Sequence, residues 1–377
     1  MKSRLFKILK RMMIAIVSLV LLFVIVVFFY MRQTKFGQNP AGERLAMIEK
    51  SPNYRDGQFQ NLHHTPQLAE GHSMGSIMYN FLFKTYPRTK PVDTIPSKKI
   101  DIKAIPADSN VLIWFGHSSY YIKLNGQHIL VDPIFSGNAS PIPGSMKAFE
   151  GTDVYTADDF PDIDVLLISH DHYDHVDYQT LLALKAKIAK VICGLGVGAH
   201  FEEWGYDKSI IIEKDWHDFV NIAPNFDVFI EPCRHFSGRG LKRNNTLWVS
   251  YVIKTPETRL FLGGDSGYDT HYAEIGAKHG PFDLAILENG QYNPAWPYIH
   301  HTPNQVLQAG KDLGAKRILP VHSSKFPLSS HPWDEPLKEV TRLNESFNIP
   351  LITPLIGELV NLNNPNQKFD QWWVGLE

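Results

Sequence analysis

The sequence predicts a mixed α/β domain of two β-sheets covered by helices, carried on a single N-terminal membrane-spanning helix. Three observations make that prediction. Met12 to Met31 is an apolar run of twenty residues without a charge, long enough as a helix to cross about 30 Å of hydrocarbon. After Asp101, short apolar runs bounded by turn residues alternate with stretches of helical spacing. Several of those runs end in a histidine or an aspartate. Composition agrees: 44% of the 377 residues are apolar and 20% charged, which excludes extended disorder and fibrous repeats. A net charge of -2 gives no bulk attraction for nucleic acid, and none is expected as a partner.

In chain order, residues 1–35 form a basic stub and the membrane anchor. Lys2, Arg4, Lys7, Lys10 and Arg11 precede the apolar run, whereas Arg32 and Lys35 follow it, so the positive-inside bias puts the N-terminus in the cytoplasm and the rest on the extracytoplasmic side. The run's end, VVFFYMRQTK, lacks small residues placed for cleavage, which favours a retained anchor over a signal peptide. Residues 36–100, rich in Pro, Gly, Asn and charge, read as a stalk and wrapping segment with one short helix near Met74 to Lys84. His63 and His64 are assigned to the surface. Strands are expected within Val111 to Phe135, where Asn125-Gly126 signals a hairpin, and at Val165 to Ile168 and Lys190 to Gly194. Further strands are expected at Ser209 to Glu213, Phe226 to Glu231, Leu247 to Lys254, Arg259 to Gly263, Leu284 to Leu287 and Arg317 to Val321, with a last pair over Pro350 to Asn364. Helices are expected at Tyr178 to Ala189, Gly198 to Trp204, Pro303 to Leu313 and Trp333 to Phe347. The main domain thus covers 101–364 and leaves a tail at 365–377, where Trp372-Trp373 is expected to dock on its own domain. Cys193 and Cys233 are too few for a disulfide framework and read as small buried hydrophobes.

The chemistry is concentrated at strand ends. Ile168 is followed by His170, His172, Asp174 and His175; His235 follows Glu231, Asp265 follows Gly264, and His322 follows Val321. Side chains two apart in extended chain point the same way, so His170 and His172 can grip one cation, while Asp174 and His175 lie past the next bend and reach a second. A carboxylate between two cations can bridge them. Four such groups within six residues would leave buried polar atoms unsatisfied unless something binds them. Taken alone, His235, Asp265 and His322 would read as ordinary buried or turn residues.

The HxHxDH run at His170 to His175, with the later His235, the Asp265 of GGDSG and the terminal His322, resembles the metallo-β-lactamase superfamily, whose fold is an αββα sandwich. The opening WFGHSSYYIKLNGQHILVDPIF resembles the branch that includes the L-ascorbate-6-phosphate lactonases. DGQFQN (56–61), PCRHFSGR (232–239), GGDSGY (263–268) and GQYNPAW (290–296) are similar to the family of N-acyl-phosphatidylethanolamine-hydrolysing phospholipases D. The resemblance implies two zinc ions per chain, one held by His170, His172 and His235, the other by Asp174, His175 and His322, with Asp265 bridging. A nitrogen and carboxylate donor set suits zinc and also admits iron or manganese. It further implies catalytic roles for Asp174, Asp265 and His301, the last near the substrate phosphate. His300 departs from the glutamine expected there, and Tyr292, in an aromatic stretch with Trp296 and Tyr298, is the expected substrate contact. His117 reads equally as a support of the site or as a packed histidine.

The implied activity is cleavage of a membrane phospholipid to a phosphatidate and an alcohol, which an anchored domain meets without searching for the bilayer. Two rivals stand beside it. A lactonase or phosphodiesterase acting on a soluble substrate would use the same metals, and a tethered binding protein would hold metal only for structure. A homodimer is left open by the sequence.

Overall fold

The computed structural model describes residues 2–377. Helix α1 (Lys2–Met31) contains the one segment among the described residues long and apolar enough to cross a membrane. Helix α2 (Gly42–Ile48), the two-residue strands β1 (Tyr54–Arg55) and β2 (Gln58–Phe59), and helix α3 (Met74–Phe83) follow. The main domain then gives β3 (Val111–Trp114), β4 (Tyr120–Leu124), β5 (Gln127–Val131), β6 (Val165–Ile168), α4 (Tyr178–Leu184), β7 (Val191–Gly194), α5 (Gly198–Glu203) and β8 (Ile211–Lys214). Its second half is β9 (Phe219–Ala223), β10 (Phe226–Glu231), β11 (Ser250–Lys254), β12 (Arg259–Leu262), α6 (His271–His279), β13 (Leu284–Glu288), α7 (Pro303–Asp312), β14 (Ile318–Val321), α8 (Glu335–Phe347) and β15 (Leu359–Asn361).

The strands form a seven-stranded sheet in the order β15-β3-β4-β5-β6-β7-β8 and a six-stranded sheet in the order β14-β13-β12-β11-β10-β9. Period-2 alternation sorts each strand between two environments. Leu112 and Trp114 of β3, Ile122 of β4, Val228 and Ile230 of β10 and Leu260 and Leu262 of β12 point into one core between the sheets. The alternate positions face outward under helices: Ile113, Leu166 and Ile168 meet Leu181, Leu184 and Phe201 of α4 and α5, while Phe261, Ala285 and Ile318 meet Ile275, Val306 and Val340 of α6, α7 and α8. The result is a four-layer αββα sandwich. Strands β5, β6, β7 and β8 run parallel, as do β12, β13 and β14. Their C-terminal ends meet at one edge, which sets the site.

Several expected elements change. Of the stalk and wrapping segment expected over 36–100, the wrapping part describes what forms, a strap on the domain: Ile48, Phe59 and Ile95 are buried in the inter-sheet core, and Arg44 pairs with Glu202 and Glu213, each at 2.6 Å. The tail also joins that core through Trp373. Over Pro350 to Asn364 only β15 forms a strand, and Leu351 makes a lone bridge to Ile318. Helix α2, strands β1, β2 and β9, and α6 are additions. α6 is masked in the sequence by Gly276, whose helix penalty is set by packing: a Cβ there would lie 2.1 Å from the Asp312 carbonyl oxygen of α7.

Candidate active site

Six strand ends deliver the site. β6 leads to His170 and His172, β10 to His235, β12 to Asp265, and β14 to His322, while β5 ends against Asp132 and β13 in Glu288. All are buried except His172, which is partly open. Asp132, His117 and His322 hold positive φ of 41°, 51° and 64°, a backbone strain of about 1–3 kcal/mol each that recurs at functional sites.

Two nests of donors result. In the first, His170 Nε2 and His235 Nε2 lie 2.8 and 3.2 Å from His172 Nδ1, and 3.8 and 3.7 Å from Asp265 Oδ2. In the second, His175 Nε2 and His322 Nδ1 lie 3.2 and 3.0 Å from the other oxygen, Asp265 Oδ1, and Asp174 Oδ2 is 3.7 Å from His175 Nε2. One carboxylate thus faces both nests. His117 completes the second nest, with Nε2 2.9 Å from Asp174 Oδ2 and its ring 4.1 Å from that of His322.

The donor chemistry fits divalent metal. His175 Nε2 and Asp265 Oδ1 are buried without a hydrogen-bond partner, an arrangement that costs free energy unless a cation binds. Burial and neighbouring histidines hold His170, His235 and His322 well below the usual imidazole range, and burial holds His172 at about 4. These rings are therefore neutral, with lone pairs to offer. Burial also opposes charge on His175, but Asp265, Asp174 and Asp132 overcome it and raise its pKa well above the ordinary value. The acidic nest thus favours a cation beside it. Burial pushes Asp265 up to about 6 against the pull of His175.

Partners outside the nests fix the ring orientations, as metal-binding histidines require. Asp132 Oδ2 lies 2.8 Å from His175 Nδ1, and the Ile299 carbonyl lies 2.9 Å from His235 Nδ1. Each leaves Nε2 for the site. The strap contributes too: the Asn61 side chain donates to the His235 carbonyl at 2.8 Å and accepts from its N–H at 3.1 Å. Asp171, between the first two histidines, accepts from Gly238 N–H at 2.7 Å and Thr246 Oγ at 2.9 Å, tying the loop after β10 to the motif.

A family model described as a beta-lactamase superfamily domain matches residues 127–323. The chain belongs to the metallo-β-lactamase superfamily. It is a metal-dependent hydrolase of that superfamily. An uncharacterized protein of Mycobacterium tuberculosis is 36% identical over 334 residues, covering 87% of this chain and 89% of its own. N-acyl-phosphatidylethanolamine-hydrolyzing phospholipase D 1 of Caenorhabditis elegans is 26% identical over 292 residues, covering 71% of this chain and 80% of its own. Among solved structures, the metallo hydrolase Igni18 of Ignicoccus hospitalis shares the fold with a TM-score of 0.51 and 21% identity, covering 67% of this chain and 98% of its own.

Over this metallo-β-lactamase site lies a cleft of about 270 Å³, walled by Leu68, Met74, Ile77, Phe236, Trp296 and Leu328 and floored by His172, Asp174, His235, Asp265, His300 and His322. Two sequence expectations fail here. His301 does not face the cleft; its ring is fully buried 5.2 Å from that of Tyr272, and its main-chain N–H donates to Glu288 at 2.6 Å. The chain turns so that His300 takes the cleft position, its Nδ1 2.6 Å from Glu288 Oε2. Burial raises Glu288 well above the carboxylate range and lowers His300, so both groups are biased toward their neutral forms. Tyr292 is also outside the cleft, because its hydroxyl is held by Glu335 of α8 at 2.8 Å and its ring stacks on His331. Asp132 and Glu288, unassigned from sequence, carried the same signal as the nest residues, an ionisable side chain at a strand end. Asn61 lies 174 residues from His235 and gave no local signal.

Proposed function

We propose that this chain is a zinc-dependent phosphodiesterase of the phospholipase D type, hydrolysing N-acyl-phosphatidylethanolamine or a related membrane phospholipid to a phosphatidate and an alcohol. The observation that carries this reading is the Asp265 carboxylate, with one oxygen toward each histidine nest, beneath an apolar-walled cleft. The activity that the nematode relative is named for and the apolar N-terminal helix support a lipid substrate. In this reading His170, His172 and His235 hold one zinc, Asp174, His175 and His322 the second, and Asp265 both, with the domain on the extracytoplasmic side.

Bound divalent metal supplies Lewis acidity toward phosphoryl oxygen and lowers the pKa of water. The chain's own groups do the positioning. His117 holds Asp174 Oδ2, leaving the other carboxylate oxygen to orient the attacking water in line with the leaving alkoxide. His300, fixed by Glu288, donates its Nε2–H to a phosphate oxygen. Apolar walls take the acyl chains.

The test is purified full-length protein, loaded with zinc and supplied with N-acyl-phosphatidylethanolamine in vesicles, read by mass spectrometry. Release of N-acylethanolamine and phosphatidate is expected. Failure of that release, with turnover of a soluble lactone or phosphodiester, would move the assignment to the soluble-substrate hydrolase.

A further inference from the structure

Helix α3 is a conspicuous exception to the burial rules of the domain. It is short, capped by Ser73 and Ser76 in a reciprocal pair of hydrogen bonds, and apolar nearly all round, yet solvent covers most of it. Met74 is 61% exposed, Met78 54%, Phe81 62% and Phe83 71%. A soluble domain rarely leaves such a contiguous apolar patch without a partner. Two loops carry further exposed apolar residues: Leu241 at 91% and Ile142 at 55%.

The position of the membrane-spanning helix says what the partner is. Its end is packed onto the domain with no free linker. The Tyr30 hydroxyl donates to the Pro141 carbonyl at 2.9 Å, Arg239 donates to the Lys35 carbonyl at 2.9 Å, and Phe28 and Met31 share a groove with Leu241 and Lys242. The same two loops reach α3. Phe236 and Arg243, either side of Leu241, line the catalytic cleft with Met74 and Ile77, while Ser145 and Met146, just after Ile142, line a groove with Ile77 and Phe81. The foot of the span, the cleft mouth and α3 are therefore on one face. Exposed Lys84, Lys147, Lys242 and Arg243 fringe it, placed for lipid phosphates once the apolar tips enter the bilayer.

We infer that α3, with the loop tips at Ile142 and Leu241, is seated in the surface of the bilayer that α1 crosses, so that the cleft opens directly onto lipid. The inference requires α1 to span a membrane and is independent of which ester is cleaved. At ten residues α3 is too short to cross the hydrocarbon, so its apolar side chains enter only the boundary between headgroups and acyl chains.

The test uses full-length protein in vesicles of phosphatidylethanolamine and phosphatidylglycerol, with a nitroxide spin label at Met78→Cys or, separately, Phe81→Cys. Cys193 and Cys233 are buried, and unsubstituted protein taken through the labelling sets the background. Glu257→Cys, in the exposed turn between β11 and β12 at the opposite end of the strands, is the reference. The ratio of oxygen to water-soluble nickel-chelate accessibility should be several-fold higher at 78 and 81 than at 257. Equal ratios would overturn the inference. So would spin–spin broadening between labels with both reagents excluded, which would mean that a second copy of the chain covers α3. Neither readout involves turnover, so failure here is distinct from failure of the phospholipase reading.

Discussion

Asp132 accepts hydrogen bonds from Ser169 N–H at 2.9 Å and from Ser169 Oγ, while its Oδ2 lies 2.8 Å from His175 Nδ1. One buried carboxylate thereby holds both the start of the metal-binding motif and the tautomer of its last histidine. Asp132→Asn keeps the shape and removes the charge that favours Nδ1–H. Losing such a partner weakens metal binding about 10–100-fold. Competition with a chromophoric chelator should show this drop, with circular dichroism unchanged; undiminished affinity would show that Asp132 acts only on the backbone.

Asn61 clamps the main chain of His235 from the strap and also accepts from the Trp248 indole at 2.9 Å. Asn61→Ala removes these bonds, each worth about 1 kcal/mol net, and frees His235 to drift. The expected result is roughly a tenfold rise in the metal dissociation constant, since about 1.4 kcal/mol is a factor of ten. Asn61→Asp can still accept but cannot donate to the His235 carbonyl, and it should fall between the two.

Acid should destabilise the fold through two histidines outside the metal nests. Burial depresses His271 and His301 from 6.5 to about 3. Between those values the unfolded chain binds their protons and the folded chain does not. Stability is therefore complete above pH 6.5 and falls as pH drops toward 3, by on the order of 1–2 kcal/mol per histidine at pH 5. Thermal melts at pH 7 and pH 5, both with chelator present to remove the metal contribution, should show a lower Tm at pH 5. A flat profile would contradict the burial of these rings.

The layers and the metal-binding side chains were legible in the sequence because both depend on local pattern. Period-2 runs mark strands, and a polar residue just beyond a run marks the sheet edge. His170, His172, Asp174, His175, His235, Asp265 and His322 all carry that mark, and the structure brings them together. Neighbour identity was less legible: His300 and His301 are adjacent, and only the turn leading into α7 decides which ring meets the cleft. Tyr292 was drawn in by an aromatic stretch whose side chain serves α8 instead. Asn61 and α6 depend on contacts far along the chain, the second on a glycine that propensity counts against a helix. The edge strand β9 is half exposed and shows little alternation.

The seven-stranded sheet closes with β15 beside β3, pairing Leu359 with Ile113 and Asn361 with Val111, so the last strand of that sheet to be synthesised is the neighbour of its first. The strap, made earlier still, rests on a core completed by Trp373 near the end of the chain. No nascent fragment can bury these surfaces before the ribosome has released almost everything. The unfinished polypeptide is therefore sticky, and the demand on holding chaperones lasts until the residues around Trp373 arrive.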